Sequence, residues 1–337
     1  MEKIKKKILI TGNLGYIGSV LTDLLIKKNY NIIGVDIGWF KNDLIKSYKK
    51  KKFTQIHKSF SKVPNKILSE IDYVVHLAGV SNDPIGNEFK KITKKINIYE
   101  TKKFIDRVSK FKNIKFIFAS SCSVYGFAQN KFKKEISKTN PLTEYSKSKF
   151  VIEKYLKQKK MKSVSLRFAT ACGYSPRLRL DLVLNDFVTN AIKNKSIDIL
   201  SNGKPMRPLI DVEDMCKAIY LSIKEDLNKQ KISEIYNVGS NKNNFSIYQI
   251  AYKVKKIFKK YLNKDISVSI NKSATSDKRS YLVDFSKFEK ISRKFYKNKS
   301  IEKSIQELIN CINKNKKIKK NFREGNFIRL VRLRKIL

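Results

Sequence analysis

Two side chains four positions apart, Tyr145 and Lys149, could do chemistry in this 337-residue chain. On a helix that spacing puts both on one face. An ammonium beside a phenol favours phenolate, drawing down a pKa that is ordinarily about 10. Such a pair can take the proton of an alcohol while hydride leaves the same carbon. A second group of hydroxyls lies in Phe118-Ala119-Ser120-Ser121-Cys122-Ser123-Val124-Tyr125-Gly126. It succeeds an apolar run that reads as a strand, and a parallel strand delivers its C-terminal edge to the ligand side of its sheet. Ser121 there can hold the reacting oxygen and share its proton with Tyr145. No base of the Ser-His-Asp kind stands near Ser121 in sequence, which argues against a nucleophilic hydrolase.

Near the start, Thr11-Gly12-Asn13-Leu14-Gly15-Tyr16-Ile17-Gly18 joins a strand to a helix. The first glycine permits a tight turn, the second lets backbone N–H groups approach a pyrophosphate, and the third allows close helix-to-strand packing. The helix N-terminus adds partial positive charge. The next strand ends at Val35-Asp36. A carboxylate there accepts hydrogen bonds from both adenosine ribose hydroxyls and repels a 2′-phosphate, which selects NAD over NADP.

The elements that must position these residues alternate. The pattern predicts strands over Lys7–Thr11, Asn31–Asp36, Phe53–His57, Tyr73–Leu77, Ile114–Ala119 and Ser163–Phe168, with helices over Ile17–Lys28, Glu88–Phe111 and Thr143–Gln158. That is an α/β chain with a Rossmann-like, doubly wound parallel sheet. Beyond Thr170 the rhythm loosens into a smaller, partly interleaved C-terminal α/β substrate lobe. Helices are predicted over Leu182–Lys193, Val212–Ile223, Ile247–Tyr261 and Ile301–Ile312, and strands over Ile197–Leu200 and Ile266–Ile270. The expected division is residues 1–170 for the NAD-binding domain, with 207–240 rejoining it and Ile235–Val238 adding a strand to the main sheet. Residues 171–206 and 241–312 form the substrate lobe, and 313–337 a basic tail that either frays or docks on something.

Composition narrows the class. Lys+Arg number 74 against 29 Asp+Glu, a net charge of +45. Lysine supplies 63 of the basic residues and arginine 11, spread from Lys3 to Lys335. Guanidinium is the usual group for bidentate phosphate and base contacts, so this charge reads as a lysine-rich compositional background and not as a nucleic-acid footprint. No apolar run approaches the ~20 residues of a membrane span. The apolar run behind the basic start breaks at Thr11-Gly12, too soon for a signal peptide. Cys122, Cys172, Cys216 and Cys311 form no CxxC pair, and with His57 and His76 they make no metal site. Scattered cysteines fit a reducing, cytoplasmic setting.

Together TGxxGxxG, Asp36, His76-Leu77-Ala78-Gly79, SSxSVYG and YxxxK resemble the extended short-chain dehydrogenase/reductases, over roughly residues 7 to 310. Within them the chain is most similar to the NAD-dependent nucleotide-sugar epimerase/dehydratase group. The resemblance implies Ser121 as the catalytic hydroxyl, Tyr145 as general base, and Lys149 as the group that lowers its pKa and grips the nicotinamide ribose. It implies cofactor contacts from Thr11, Gly12, Gly15, Tyr16, Ile17, Gly18, Asp36, Leu77, Ala78, Gly79, Asn97, Tyr145 and Lys149. Ser121, Thr170, Asn185, Arg207 and Arg279 would meet the substrate, the two arginines holding its diphosphate. Thr170 stands where an asparagine is frequent, and Asp211 where many relatives have histidine. The stretch from Ser175-Pro176-Arg177 through Asn185-Asp186-Phe187 resembles a subgroup of bacterial surface-sugar enzymes. Related dehydratases carry Asp-Glu after the catalytic hydroxyl; here Cys122-Ser123 take those places, which disfavours dehydration. His57-Lys58-Ser59-Phe60 replaces the usual Gly-Asp near the adenine, and His76 reads as a packed strand residue.

The expected activity is epimerisation of a nucleoside-diphosphate sugar through transient oxidation of a ring hydroxyl, at C4, in surface-polysaccharide sugar biosynthesis. The alternative is a dehydrogenase or reductase that releases the keto sugar. From another class, an RNA-binding member would suit the charge, but an intact Ser121, Tyr145 and Lys149 argue against it. The resemblance further implies a homodimer pairing the helices near Glu88–Phe111 and Thr143–Gln158, with no membrane partner.

Overall fold

In the computed structural model, residues 6–41, 53–225, 227, 232–271, 273, 279–318 and 322–337 are described. Seven parallel strands form the central sheet, in the order Ser233–Val238, Ser163–Phe168, Lys115–Ser121, Tyr73–His76, Lys7–Thr11, Asn31–Val35 and Phe53–Ile56. Each of the seven matches a strand expected from sequence. Their interiors are near-continuous apolar runs such as Ile8-Leu9-Ile10 and Phe116-Ile117-Phe118, buried on both faces. A sheet covered by helices on both sides demands this pattern. One core layer gathers Leu21, Leu25, Ile219 and Phe288, and the opposite layer Leu68, Phe104, Ile152 and Leu156.

The C-terminal lobe has its own core around Leu184, Val188, Ile250, Val254, Ile305 and Leu308. Of residues 207–240, Ser233–Val238 pairs with the main sheet, whereas Met206–Asp211 lies in a three-stranded sheet with Thr170–Cys172 and Asn244–Ser246. A parallel pair, Phe127–Lys133 with Ser280–Val283, escapes the sequence reading. Phe127–Lys133 is largely polar and Ser280–Val283 is only four residues long, so periodicity does not reveal them.

The helix expected over Glu88–Phe111 is broken into Asp83–Glu88, Lys90–Lys94, a π-helical stretch Lys95–Glu100 and Thr101–Val108. Phe89 leaves helical geometry at φ −105° and ψ 52°. The π-helical stretch carries Asn97 inward, where Val80 N donates to its Oδ1 and its Nδ2 donates to Val80 O, both at 2.8 Å. Such bulges commonly mark functional segments. Among the described residues no helix is long and apolar enough to cross a membrane, and no group of His, Cys, Asp and Glu could hold a metal ion.

Candidate active site

The strands Lys7–Thr11, Asn31–Val35, Tyr73–His76, Lys115–Ser121 and Ser163–Phe168 all point their C-terminal ends at one edge of the sheet, where a crevice opens. Gly12 adopts φ +74°, and a Cβ there would stand 2.8 Å from Ala78 N. A Cβ on Gly18 would come within 2.2 Å of Gly12 O. The loop therefore tolerates only glycine at both places, for the turn and for the helix packing. Beside it, Asp36 Oδ1 accepts from Gly38 N at 2.8 Å and Oδ2 from Leu14 N at 3.3 Å. Burial raises its pKa, against the pull of those two amides.

Asp36 lines a cavity of about 130 Å³ with Trp39, Lys58, Ser59, Ala78 and Gly79. A larger cavity of about 580 Å³ contains Ser121, Tyr145, Lys149, Thr170, Arg207 and Arg279. Gly12, Gly15, Leu77 and Arg329 border both. A carboxylate at one end, a glycine cradle in the middle and a phenol–ammonium pair at the other fit a nicotinamide adenine dinucleotide.

Tyr145 and Lys149 share a face of the helix Glu144–Gln158. Thr143 caps it, accepting from Ser146 N at 3.1 Å while Thr143 N donates to Ser146 Oγ at 3.0 Å. The Ser121 side chain lies near the Tyr145 hydroxyl and accepts from Ser123 N at 3.2 Å. Burial pushes Tyr145 up to about 12; Asp83 adds to this, and Ser121, Arg179 and Arg329 pull it back. Lys149 Nζ donates to Ala119 O at 2.7 Å and sits 5.5 Å from the Tyr145 ring centroid. Burial drives its pKa down to about 8, opposed by Glu153. The spacing leads one to expect a phenol drawn down by its ammonium; burial instead raises Tyr145 and lowers Lys149, so the protein alone holds both groups neutral more readily than in water.

Other expected residues fall into two sets. Arg207 and Arg279 come together, because an Arg207 Nη donates to Arg279 O, and Arg279 Nη1 reaches Asp83 Oδ2 at 3.3 Å. Asp277 and Lys278, which flank Arg279 in the motif, lie outside the described residues. Thr170 lines the larger cavity with Tyr281. Thr11, Tyr16, Asn97 and Asn185 instead spend their polar groups on the protein. Thr11 Oγ1 accepts from Ala78 N at 3.2 Å, and Tyr16, at the cavity border, donates its OH to Gly173 O at 2.7 Å. The Asn185 amide bonds both backbone groups of Gly173 and the carbonyl of Arg179. These side chains tie down the segments around the two cavities.

His76 packs among Phe60, Phe104, Phe116 and Phe118. Burial, with Lys149 nearby, lowers its pKa to about 3, so it stays neutral. Asp211 caps the helix Val212–Lys224 through Glu213 N and accepts from Ser304 Oγ, an architectural task away from the crevice.

Sequence reasoning missed Asp83, Arg179, Asp181 and Arg329, all of which line the larger cavity. One signal was available. In a chain that writes 63 lysines and 11 arginines, four arginines fall within the last 15 residues.

The NAD dependent epimerase/dehydratase family model matches residues 8–239. An uncharacterized UDP-glucose epimerase, YtcB of Bacillus subtilis, is 30% identical over 248 residues, covering 69% of this chain and 76% of that protein. Among solved structures, the UDP-N-acetylglucosamine 4-epimerase of Methanobrevibacter ruminantium in complex with UDP-N-acetylmuramic acid is 25% identical. It superposes at a TM-score of 0.76 over 91% of this chain and 97% of that one. The UDP-glucuronic acid 4-epimerase of Bacillus cereus, solved with UDP-glucuronic acid and NAD, has the same fold. Its TM-score is 0.77 at 23% identity, over 91% of this chain and 99% of its own.

Proposed function

The chain belongs to the NAD-dependent epimerase/dehydratase family, and we propose that it epimerises a nucleoside-diphosphate sugar at C4. The observation that carries this reading is the single cavity that holds Ser121, Tyr145 and Lys149 together with Arg207 and Arg279. NAD, when bound, supplies an acceptor for the sugar's hydride and its later donor.

The protein's own residues do the rest. Tyr145 takes the proton of the C4 hydroxyl, and Ser121, which lies near the Tyr145 hydroxyl, holds the same oxygen. Lys149, anchored on Ala119 O, presents its ammonium to the cofactor side of the pair. Arg207 and Arg279 hold the diphosphate, leaving the sugar free to present its other face before the proton returns from Tyr145. Asp36 holds the adenosine ribose, and the Gly12–Gly18 loop the cofactor's phosphates.

The side chain after Ser121 disfavours dehydration. Cys122 is fully buried, donates its Sγ–H to Arg167 O and has its thiol pKa raised by that burial. It neither reaches the sugar nor serves as a base. We assign the products to surface-polysaccharide synthesis by the resemblance in Ser175–Phe187. A homodimer through the segments near Glu88–Phe111 and Thr143–Gln158 is inferred from the family, and Tyr99 in the first of them is 60% exposed. Size exclusion at high salt tests the dimer.

The decisive experiment incubates the protein with UDP-, GDP-, CDP- and dTDP-hexoses and resolves products by NMR. Epimers without net NADH support the reading; a stable keto sugar with stoichiometric NADH replaces it with the dehydrogenase.

A further inference from the structure

The tail that reads as a basic end in sequence is packed across the molecule. Phe322 and Phe327 are buried in the second lobe, and Leu180 N donates to Phe327 O at 3.1 Å. Arg323 grips Asp186 through Nε and Nη2, at 3.1 and 2.9 Å. The chain then crosses to the first lobe. Leu333 is buried against Val80 and Ile85, and Arg334 holds Glu88 by two bonds of 2.7 Å. The segment is fastened at both ends, and Arg329 lies between the fastenings.

Arg329 is only 8% exposed, yet its side chain borders both the cavity beside Asp36 and the cavity of Tyr145. A dinucleotide reaching from Asp36 to Tyr145 passes its diphosphate through that junction, beside Gly12 and Gly15. Two guanidiniums converge there on one hydroxyl: Arg329 Nη1 donates to Ser81 Oγ at 2.6 Å and Arg179 Nη1 at 3.3 Å. Arg329 and Arg177 also lie over the same Phe40 ring, at 4.7 and 4.9 Å from its centroid. The nearby carboxylates are already engaged, Asp181 by Arg179 and Asp36 by backbone amides. Arg329 Nε is buried and, among the described residues, has no hydrogen-bond partner. Burial and repulsion from Arg179 and Arg177 push its guanidinium well below the usual arginine range. Among the described residues no carboxylate forms an ion pair with Arg329, and a buried guanidinium without one is unfavourable unless an anion meets it. A guanidinium fork matches phosphate oxygens.

The geometry points to residues 322–337 as a strap over the cofactor, with Arg329 as a ligand of the cofactor's diphosphate. This rests on the cofactor placement proposed above and adds a residue from the far end of the chain. A strap fastened to both lobes also keeps the cofactor in place from one turnover to the next, as a cycle that returns its own hydride requires.

Trp39, the only tryptophan, lines the same cavity and reports binding by its fluorescence. Wild type, Arg329→Ala and Arg329→Lys are titrated with NAD, ADP-ribose, adenosine and UDP, with calorimetry in parallel and melting curves to check folding. Arg329→Ala weakens NAD and ADP-ribose about tenfold or more, the worth of one charge-assisted bond. Adenosine and UDP change less than about twofold, and Arg329→Lys recovers part of the loss. Glu88→Ala, which frees one fastening and leaves Arg329 intact, speeds NAD dissociation in stopped flow. That variant carries the test if Arg329→Ala does not fold. Unchanged ADP-ribose binding, an equal loss for adenosine, or a loss confined to UDP, the substrate's diphosphate, overturns the strap alone. A wild-type chain that binds no NAD overturns the cofactor placement with it.

Discussion

Two buried arginine clusters flank the active-site helix, and they are built on opposite principles. In the first, Arg167 places Nε 2.9 Å from Glu153 Oε1 and Nη2 2.7 Å from Oε2, while Nη1 donates to Tyr125 OH at 2.9 Å. Ser120 donates to the same carboxylate. One cation meets one anion, and the surrounding groups complete the network. It ties the strand that ends in Ser121 to the helix that carries Tyr145 and Lys149. In the second, Arg179 and Arg329 meet at Ser81, and Arg329 shares the Phe40 ring with Arg177; Asp181 pairs with Arg179, and among the described residues no carboxylate forms an ion pair with Arg329. Burial alone would raise the Asp181 carboxyl, but Arg179 overrides it and holds the group below the ordinary range. A guanidinium matched by a carboxylate serves as framework, whereas Arg329, buried at the cavity junction without one, is the guanidinium proposed above to meet a ligand.

On this contrast, cavity residues should govern function without stability, and the balanced network should govern both. The largest effect is expected at Tyr145. Tyr145→Phe should lower the epimerisation rate by about 10²–10⁴-fold with an unchanged melting curve. A comparable loss of stability would dissolve the distinction. Next, Glu153→Gln leaves Arg167 as an uncompensated buried charge and should cost about 3–5 kcal/mol in denaturant unfolding, with activity falling alongside. A cost under about 1 kcal/mol would mean the network is ornamental.

A smaller effect comes from His76, whose pKa is lowered to about 3 in the fold from an ordinary 6.5. Below pH 6.5 the unfolded chain binds a proton that the native chain refuses, so stability falls as pH drops through this window. The loss should reach about 2 kcal/mol by pH 5. His76→Asn should flatten that part of the stability–pH curve. Smallest is Arg329→Met in the unliganded protein. Relief of repulsion offsets the lost Ser81 bond, so stability should change by no more than about 1 kcal/mol. A penalty like that of Glu153→Gln would place Arg329 in the framework.

Much of the molecule is legible in the residues themselves. The strand–glycine–helix order at Lys7–Lys27, the acid at Asp36, and the Tyr145–Lys149 spacing lie within short windows. The broken helix near Phe89 is not legible, because a π-helical stretch depends on where Asn97 finds its partners at Val80. Nor is the pair of strands Phe127–Lys133 and Ser280–Val283, whose partners are far apart in sequence. The family resemblance turns Asn185 toward substrate, and its amide is instead fully occupied in holding the Gly173 loop.

The sheet, the Gly12–Gly18 loop and the Tyr145–Lys149 pair are written in local spacing: apolar runs, a turn that needs glycine, an i, i+4 face. Which charges are spent and which are left over follows from how distant segments fold together. Arg167 finds Glu153 on a neighbouring helix, while Arg329 reaches Ser81 across 248 positions of chain. The charge a buried site retains is set by partners folded in from a distance, and no pattern of nearby residues records that balance.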